Sequence, residues 1–332
     1  MTPRLVLRAF VPALLLLGCN DSSGPDIGPP AKLVVLAGAT QTGVFGQAAP
    51  VLPSVRVTDD RDRPVPGVAV TFTLASGGGS IGTPNSMTDA TGVANPGSWT
   101  LGKNFGAKTL TATVGTLPPV TFTATVIAPD AGILAFNLTD PAADTLAHDT
   151  VGVPKAHDVL SLRGDFKRDS LILTLTFGGP IGSFTDGGDL AVVGFLELDI
   201  DDNPSSGVGS ISDFFGGSGN LGIDYTIGLG GTATSVTVGP PSGPAVQVPA
   251  AFSGNTVIMR IPLAAIGNDD GNFSLVGIIG TVDRPTDVFP NSGATLVRPA
   301  ATGANSRTRA PMPAAPSFKP VRSAWGKTLR IP

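Results

Sequence analysis

Of the 25 acidic residues in this 332-residue chain, 24 are aspartate and one, Glu197, is glutamate. Glutamate sits comfortably inside helices, whereas aspartate competes for nearby backbone N–H groups and belongs in turns and caps. Glycine (44) and proline (31) push the same way, because both interrupt helices. Between these breakers lie short runs of Val, Thr, Leu and Ile that alternate with period two, the pattern of half-buried pleated strands. The chain therefore reads as all-β. Cys19 is the only cysteine, so no intrachain disulfide can staple the fold. Stability has to come from apolar cores, which 332 residues can supply if they divide into two domains.

Charge marks the divisions. Residues 31–128 carry four acids and six bases, a net of +2, while residues 129–297 carry 19 acids and six bases, a net of −13. Residues 298–332 hold seven bases and no acid. Rich in Pro and Ala and without periodicity, the segment 299–332 reads as a disordered basic tail. Its charges are too sparse to nominate nucleic acid as a partner.

At the N-terminus Arg4 and Arg8 precede the apolar run 9–17, and Gly18-Cys19 follows at once. This is the layout of a secretory signal peptide. The run is too short to span ~30 Å of hydrocarbon as a helix. Leu16-Leu17-Gly18-Cys19 resembles a bacterial lipobox. That resemblance implies removal of residues 1–18, lipid (palmitate) on Cys19, and a membrane anchor in the cell envelope, at the outer membrane or cell surface. Residues 19–30 then serve as the lipidated cysteine and a Pro/Gly-rich tether.

Residues 31–128 contain about seven strand-like runs. In Val68 to Leu74, the residues Val68, Val70, Phe72 and Leu74 share one face. Seven short strands over ~100 residues suit a β-sandwich. Three pieces, Pro64-Val65-Pro66-Gly67-Val68-Ala69-Val70-Thr71-Phe72, Thr88-Asp89-Ala90-Thr91-Gly92-Val93-Ala94 and Leu110-Thr111-Ala112, resemble the bacterial Ig-like domain of the invasin/intimin kind, group 1. The resemblance implies a rigid spacer or adhesive module with no catalytic residues.

Residues 129–298 read as a second, larger and acidic β-sandwich, with one helical turn at 263–267. Asp158-Val159-Leu160-Ser161, the Leu-x-Leu-x-Leu run at 171–175, Leu198 to Gly207, and Ile261-Pro262-Leu263 resemble the family 9 carbohydrate-binding module and DOMON-like sandwiches. Glycan binding is what that resemblance implies, although this segment has one Tyr and no Trp to stack on a sugar.

Within it, Asp199, Asp201 and Asn203 place side-chain oxygens at alternate positions beside a turn, a pattern that suits a hard cation such as structural Ca²⁺. The loop is not an EF-hand, since Pro204 stands where glycine belongs and Ser210 where a bidentate Glu belongs. Asp213 or Asp224 would complete the shell; a solvated Asp-rich turn remains the alternative. Gly78-Gly79-Ser80-Ile81-Gly82 matches G-x-S-x-G without the strand–turn–helix setting that a nucleophile needs. His148-Asp149 and His157-Asp158 read as exposed loop pairs. With no H-E-x-x-H, P-loop or dinucleotide fingerprint, the chain reads as a non-enzyme. Two functions stay open: a lipid-anchored envelope binding protein whose partner is a glycan or a cell-surface protein, and a structural or adhesive surface protein without a small-molecule site.

Overall fold

The computed structural model describes residues 26–144, 157–211, 220–281, 285–291 and 293–297, and the backbone of 307–309. Ten strands precede residue 128: β1 (Lys32–Ala37), β2 (Thr40–Val44), β3 (Ser54–Thr58), β4 (Ala69–Ser76), β5 (Gly79–Ile81), β6 (Asn85–Met87), β7 (Val93–Ala94), β8 (Trp99–Leu101), β9 (Gly106–Thr113) and β10 (Val120–Ile127). One sheet has the order β1-β3-β7 and the other β2-β10-β9-β4-β6, while β5 pairs with β8. All pairings are antiparallel except β2 with β10.

Alternation decides what these sheets bury. Val70 and Phe72 on β4, Leu110 and Ala112 on β9, and Phe122, Ala124 and Val126 on β10 are buried, and the intervening threonines face outward. They share one core with Val55 and Val57 of β3 and with Trp99, which makes a sandwich. Each such Val or Phe contributes roughly 1.5–3 kcal/mol by leaving water. The Thr88–Ala94 motif is a turn device. Asp89 Oδ1 accepts from the backbone N–H of Thr91 (2.8 Å) and Val93 (3.0 Å) and from Thr91 Oγ1 (2.7 Å), which fixes the reversal locally. Ser80 of the G-x-S-x-G string lies on β5, paired with Thr100 of β8, so the string is part of a strand pair.

Beyond residue 132 come β11 (Ile133–Thr139), β12 (Val159–Lys167), β13 (Ser170–Phe177), β14 (Val193–Asp199), β15 (Val208–Gly209), β16 (Gly222–Ile223), β17 (Tyr225–Thr232), β18 (Ser235–Gly239), β19 (Val246–Ser253), β20 (Thr256–Pro262), β21 (Phe273–Gly280), β22 (Pro285–Phe289), β23 (Ala294–Val297) and β24 (Arg307–Arg309). Most join one curled sheet of order β11-β12-β13-β20-β19-β18-β17-β14-β21-β23-β24, with β22 also on β21. The curl occurs at β19. Its first half pairs with β18 and its second half with β20, so one strand serves both layers. Phe136, Leu162, Phe166 and Leu173 from one layer and Leu196, Leu198, Ile227 and Phe273 from the other fill the space between. The expected helical turn is a 3-10 turn at Leu263–Ile266. β24 falls inside the segment whose composition reads as disordered, and it pairs with β23.

The ends of the curl meet. β11 approaches β23, and the backbone N–H of Val159 donates to Asp287 Oδ2 at 2.7 Å. β14 and β21 are buried along their whole lengths: on their outer face the β15–β16 pair packs with Val276, and Val288 and Ile211 pack with Phe195 and Ile278. Between the two sets of sheets, Phe105 makes a ring contact. Its ring lies 5.7 Å from that of Phe45 and 4.7 Å from that of Phe166, and its N–H donates to Asp270 O at 3.0 Å.

Candidate metal centre

Leu196 and Leu198 of β14 point into the sandwich, so period two sends Glu197 and Asp199 to the opposite face. Asp199 is therefore buried beneath the β15–β16 cover. Its Oδ1 accepts from Asn203 N and its Oδ2 from Gly222 N, both at 3.2 Å. Asp201 Oδ1 accepts from Asn203 N (2.9 Å) and Ser206 Oγ (2.9 Å), and Asp224 Oδ2 accepts from Ile200 N (3.1 Å). One carboxylate oxygen from each of Asp199, Asp201 and Asp224 lies within 4.8 Å of the other two.

The loop can turn this tightly because of two glycines. Gly207 has φ +60°, and a Cβ there would stand 2.2 Å from Ile223 O. A Cβ on Gly222 would stand 2.3 Å from Asn203 O. Asp202 reaches the left-handed region at φ 53°, and Ser274 Oγ donates to its carboxylate at 2.6 Å.

Of the residues singled out by sequence, Asp199 and Asp201 are brought together. Asn203 supplies its backbone N–H to both, while its Oδ1 accepts from Ser205 N at 3.1 Å. Asp224 is the third carboxylate to converge. Burial pushes the Asp199 carboxyl up to about 6; the Gly222 and Asn203 N–H groups oppose this, and the charges of Asp202 and Asp224 add to it. Asp224 is raised by burial as well, opposed by the Ile200 N–H and reinforced by Asp201. Close carboxylates that resist ionising are what a bound cation would relieve. Cys19, His148, Asp149 and Asp213 lie outside the described residues.

Beside this loop is a cleft of about 200 Å³ lined by Phe195, Glu197, Val208, Ile211, Ile223 and Thr237, among others. The carboxylate of Glu197, the single glutamate, accepts from Ser210 Oγ and from Ile211 N (2.9 Å). The cleft was not legible in sequence, although the one glutamate, flanked by Leu196 and Leu198 on β14, was a usable signal.

A second acidic group also went unread. Asp140 follows β11, Asp158 precedes β12, Asp287 lies on β22, and Asp144 sits between β11 and β12. One carboxylate oxygen from each of Asp140, Asp144 and Asp287 lies within 4.8 Å of the other two. Burial, joined by the charges of Asp287, Asp144 and Asp158, pushes Asp140 up to about 8. Burial pushes Asp287 up to about 7, against the Val159 N–H and with help from Asp144 and Asp158. His157 is buried beside it, with Nε2 3.1 Å from Ala191 O. The expectation of an exposed His157-Asp158 loop pair is thus corrected: β12 and β22 enclose both residues at the seam of the curl.

No protein-family model and no curated protein matches the sequence. Among solved structures, the chain is similar to the D0-D1 domain of intimin, at 8% identity and TM-score 0.26, covering 78% of this chain and 98% of that one. It is similar to the Yersinia pseudotuberculosis adhesin InvE, at 12% identity and TM-score 0.28, over 77% of this chain and 57% of that one. A third likeness is to domains 5-6 of the S-layer protein SbsC, at 11% identity and TM-score 0.24, over 78% and 95%.

Proposed function

We propose that the chain is an exported, lipid-anchored cell-envelope binding protein in which the Ig-like sandwich is a stalk and the acidic sandwich carries the binding function. The observation that supports this most is the Leu16-Leu17-Gly18-Cys19 boundary, behind a basic start and ahead of a Pro/Gly-rich tether. Lipid on Cys19 holds the chain at the membrane, and the tether gives the sandwiches reach. The acidic loop of Asp199, Asp201 and Asp224 holds Ca²⁺, which neutralises part of the local negative charge and fixes the loop beside the Glu197 cleft. The ligand favoured by the family resemblance is a glycan.

The experiment is metabolic labelling with a radioactive fatty acid, followed by membrane fractionation. Label in the wild type and none in Cys19→Ser supports the anchor; equal label in both removes it. A glycan array with the full chain, in Ca²⁺ and in EDTA, tests the ligand.

A structural or adhesive role without a small-molecule site is the second reading. Burial of the aromatics favours it: Phe136, Phe166, Phe177, Phe273 and Phe289 are all in the core. Phe184 is the exposed aromatic among the described residues. An array without binding to any sugar leaves this second reading.

A further inference from the structure

We propose that Asp140, Asp144 and Asp287, with Asp158 beside them, form a second cation site, for Ca²⁺, that closes the seam of the curled sheet. Two ligands of one Ca²⁺ at ~2.4 Å stand no more than ~4.8 Å apart, and the oxygens of Asp140, Asp144 and Asp287 meet that limit. What separates this group from an ordinary acidic patch is burial without partners. Asp140 is 8% exposed and Asp158 5%, yet Asp140 Oδ2 and Asp158 Oδ1 have no hydrogen-bond partner among the described residues; nor does Asp144 Oδ1. A buried polar atom left without a partner is costly, and nearly all such atoms in proteins have one.

The remaining hydrogen bonds hold these oxygens in place. Asp158 Oδ2 accepts from Ala143 N (2.8 Å), Asp287 Oδ2 from Val159 N (2.7 Å), and Asp144 Oδ2 from Asn291 Nδ2. Oxygen donors alone select a hard cation, and ligands from several separate chain segments suit the adaptable Ca²⁺ shell better than the rigid octahedron of Mg²⁺.

The segments involved explain what the ion does. Asp140 and Asp158 belong to the β11–β12 edge, whereas Asp287 belongs to β22 of the other layer. An ion bound to Asp140 and Asp287 pins the first strand of the curl to its far end. This site does not depend on the Asp199 loop or on the lipid anchor.

The test is isothermal titration of CaCl₂ into the full-length chain, purified in detergent and stripped with EDTA. Asp287→Asn, Asp144→Asn and Asp199→Asn are compared with wild type. Asp287→Asn and Asp144→Asn are expected to lose one Ca²⁺ per chain, or to bind it about tenfold or more weakly, while Asp199→Asn keeps that ion. Asp144 is only half-buried, so Asp144→Asn leaves the core intact if Asp287→Asn fails to fold. An unchanged count and affinity in Asp144→Asn, or no heat from Ca²⁺ in the wild type, overturns the proposal.

Discussion

Phe105 offers a direct test of how the two sets of sheets support each other. Its ring is 2% exposed and wedged between Phe45 of the first sandwich and Phe166 of the second, with the Phe166 pair edge-on at 61°. Phe105→Ala removes that ring from between the Phe45 and Phe166 rings, at a position whose backbone is fixed by its N–H bond to Asp270 O. Such a site cannot collapse freely, so the loss falls in the usual range for a buried phenylalanine, about 3–5 kcal/mol. Ring–ring attraction of roughly 0.5–1.5 kcal/mol per pair is part of that figure. At about 2–4 °C per kcal/mol for domains of this size, the melting temperature falls by roughly 10 °C. Phe105→Leu keeps apolar volume but loses the aromatic edges, and is expected to lose about a third as much. Differential scanning calorimetry reads both variants, and Phe105→Ala is expected to separate the unfolding of the two sandwiches into two transitions. Melts of Phe105→Ala within 2–3 °C of the wild type, still in one transition, would refute the wedge.

Three further outcomes follow from the same geometry. Lys108 is buried with its ammonium donating to Phe105 O at 2.9 Å, and burial lowers its pKa while the Asp270 charge opposes the shift. A base depressed in the folded state binds fewer protons there than in the unfolded chain, so stability rises with pH from the depressed value up to ~10.5; Lys108→Met should flatten that part of the melting-temperature profile, and an unchanged slope counts against it. Gly207→Ala forces a Cβ to within 2.2 Å of Ile223 O at φ +60°, which should cost at least about 1–3 kcal/mol in urea unfolding; an unaltered midpoint contradicts the tight loop. For a Kd of ~10⁻⁴ M, ~2 mM Ca²⁺ stabilises by about 2 kcal/mol per site; Asp201→Ala should shrink the melting shift between EDTA and Ca²⁺, and a full-sized shift would remove Asp201 from the site.

Most strands were legible because they obey a local rule. Val70 and Phe72, or Leu171, Leu173 and Leu175, announce a buried face through alternation that any short window reveals. The strands that escaped notice are informative. β2 reads Thr-Gln-Thr-Gly-Val, and it is specified by a parallel neighbour, β10, some 80 residues away. β19 carries Pro249 within Val-Gln-Val-Pro-Ala-Ala-Phe-Ser, and proline in a run argues against a central strand. Here the proline falls where the strand passes from pairing with β18 to pairing with β20. The residue that hid the strand sits at the bend that builds the sandwich.

The two acidic groups differ for the same reason. Asp199, Asp201 and Asn203 are neighbours in sequence, so their convergence could be anticipated from strand period and Pro204 alone. The partner that completes the trio, Asp224, becomes adjacent when the β15–β16 pair folds over β14. Asp140, Asp144, Asp158 and Asp287 span almost 150 positions and share no pattern. They meet because β12 follows β11 along one edge of the sheet, while β22 borders β21 near the other end, and the curl at β19 brings these edges together. Composition did carry the underlying signal. A segment with a net charge of −13 that also buries Asp140, Asp158, Asp199 and Asp287 has to offset that charge at close range, since solvent cannot screen it there. Net charge foretells that cost, and the curl of the sheet decides where it falls.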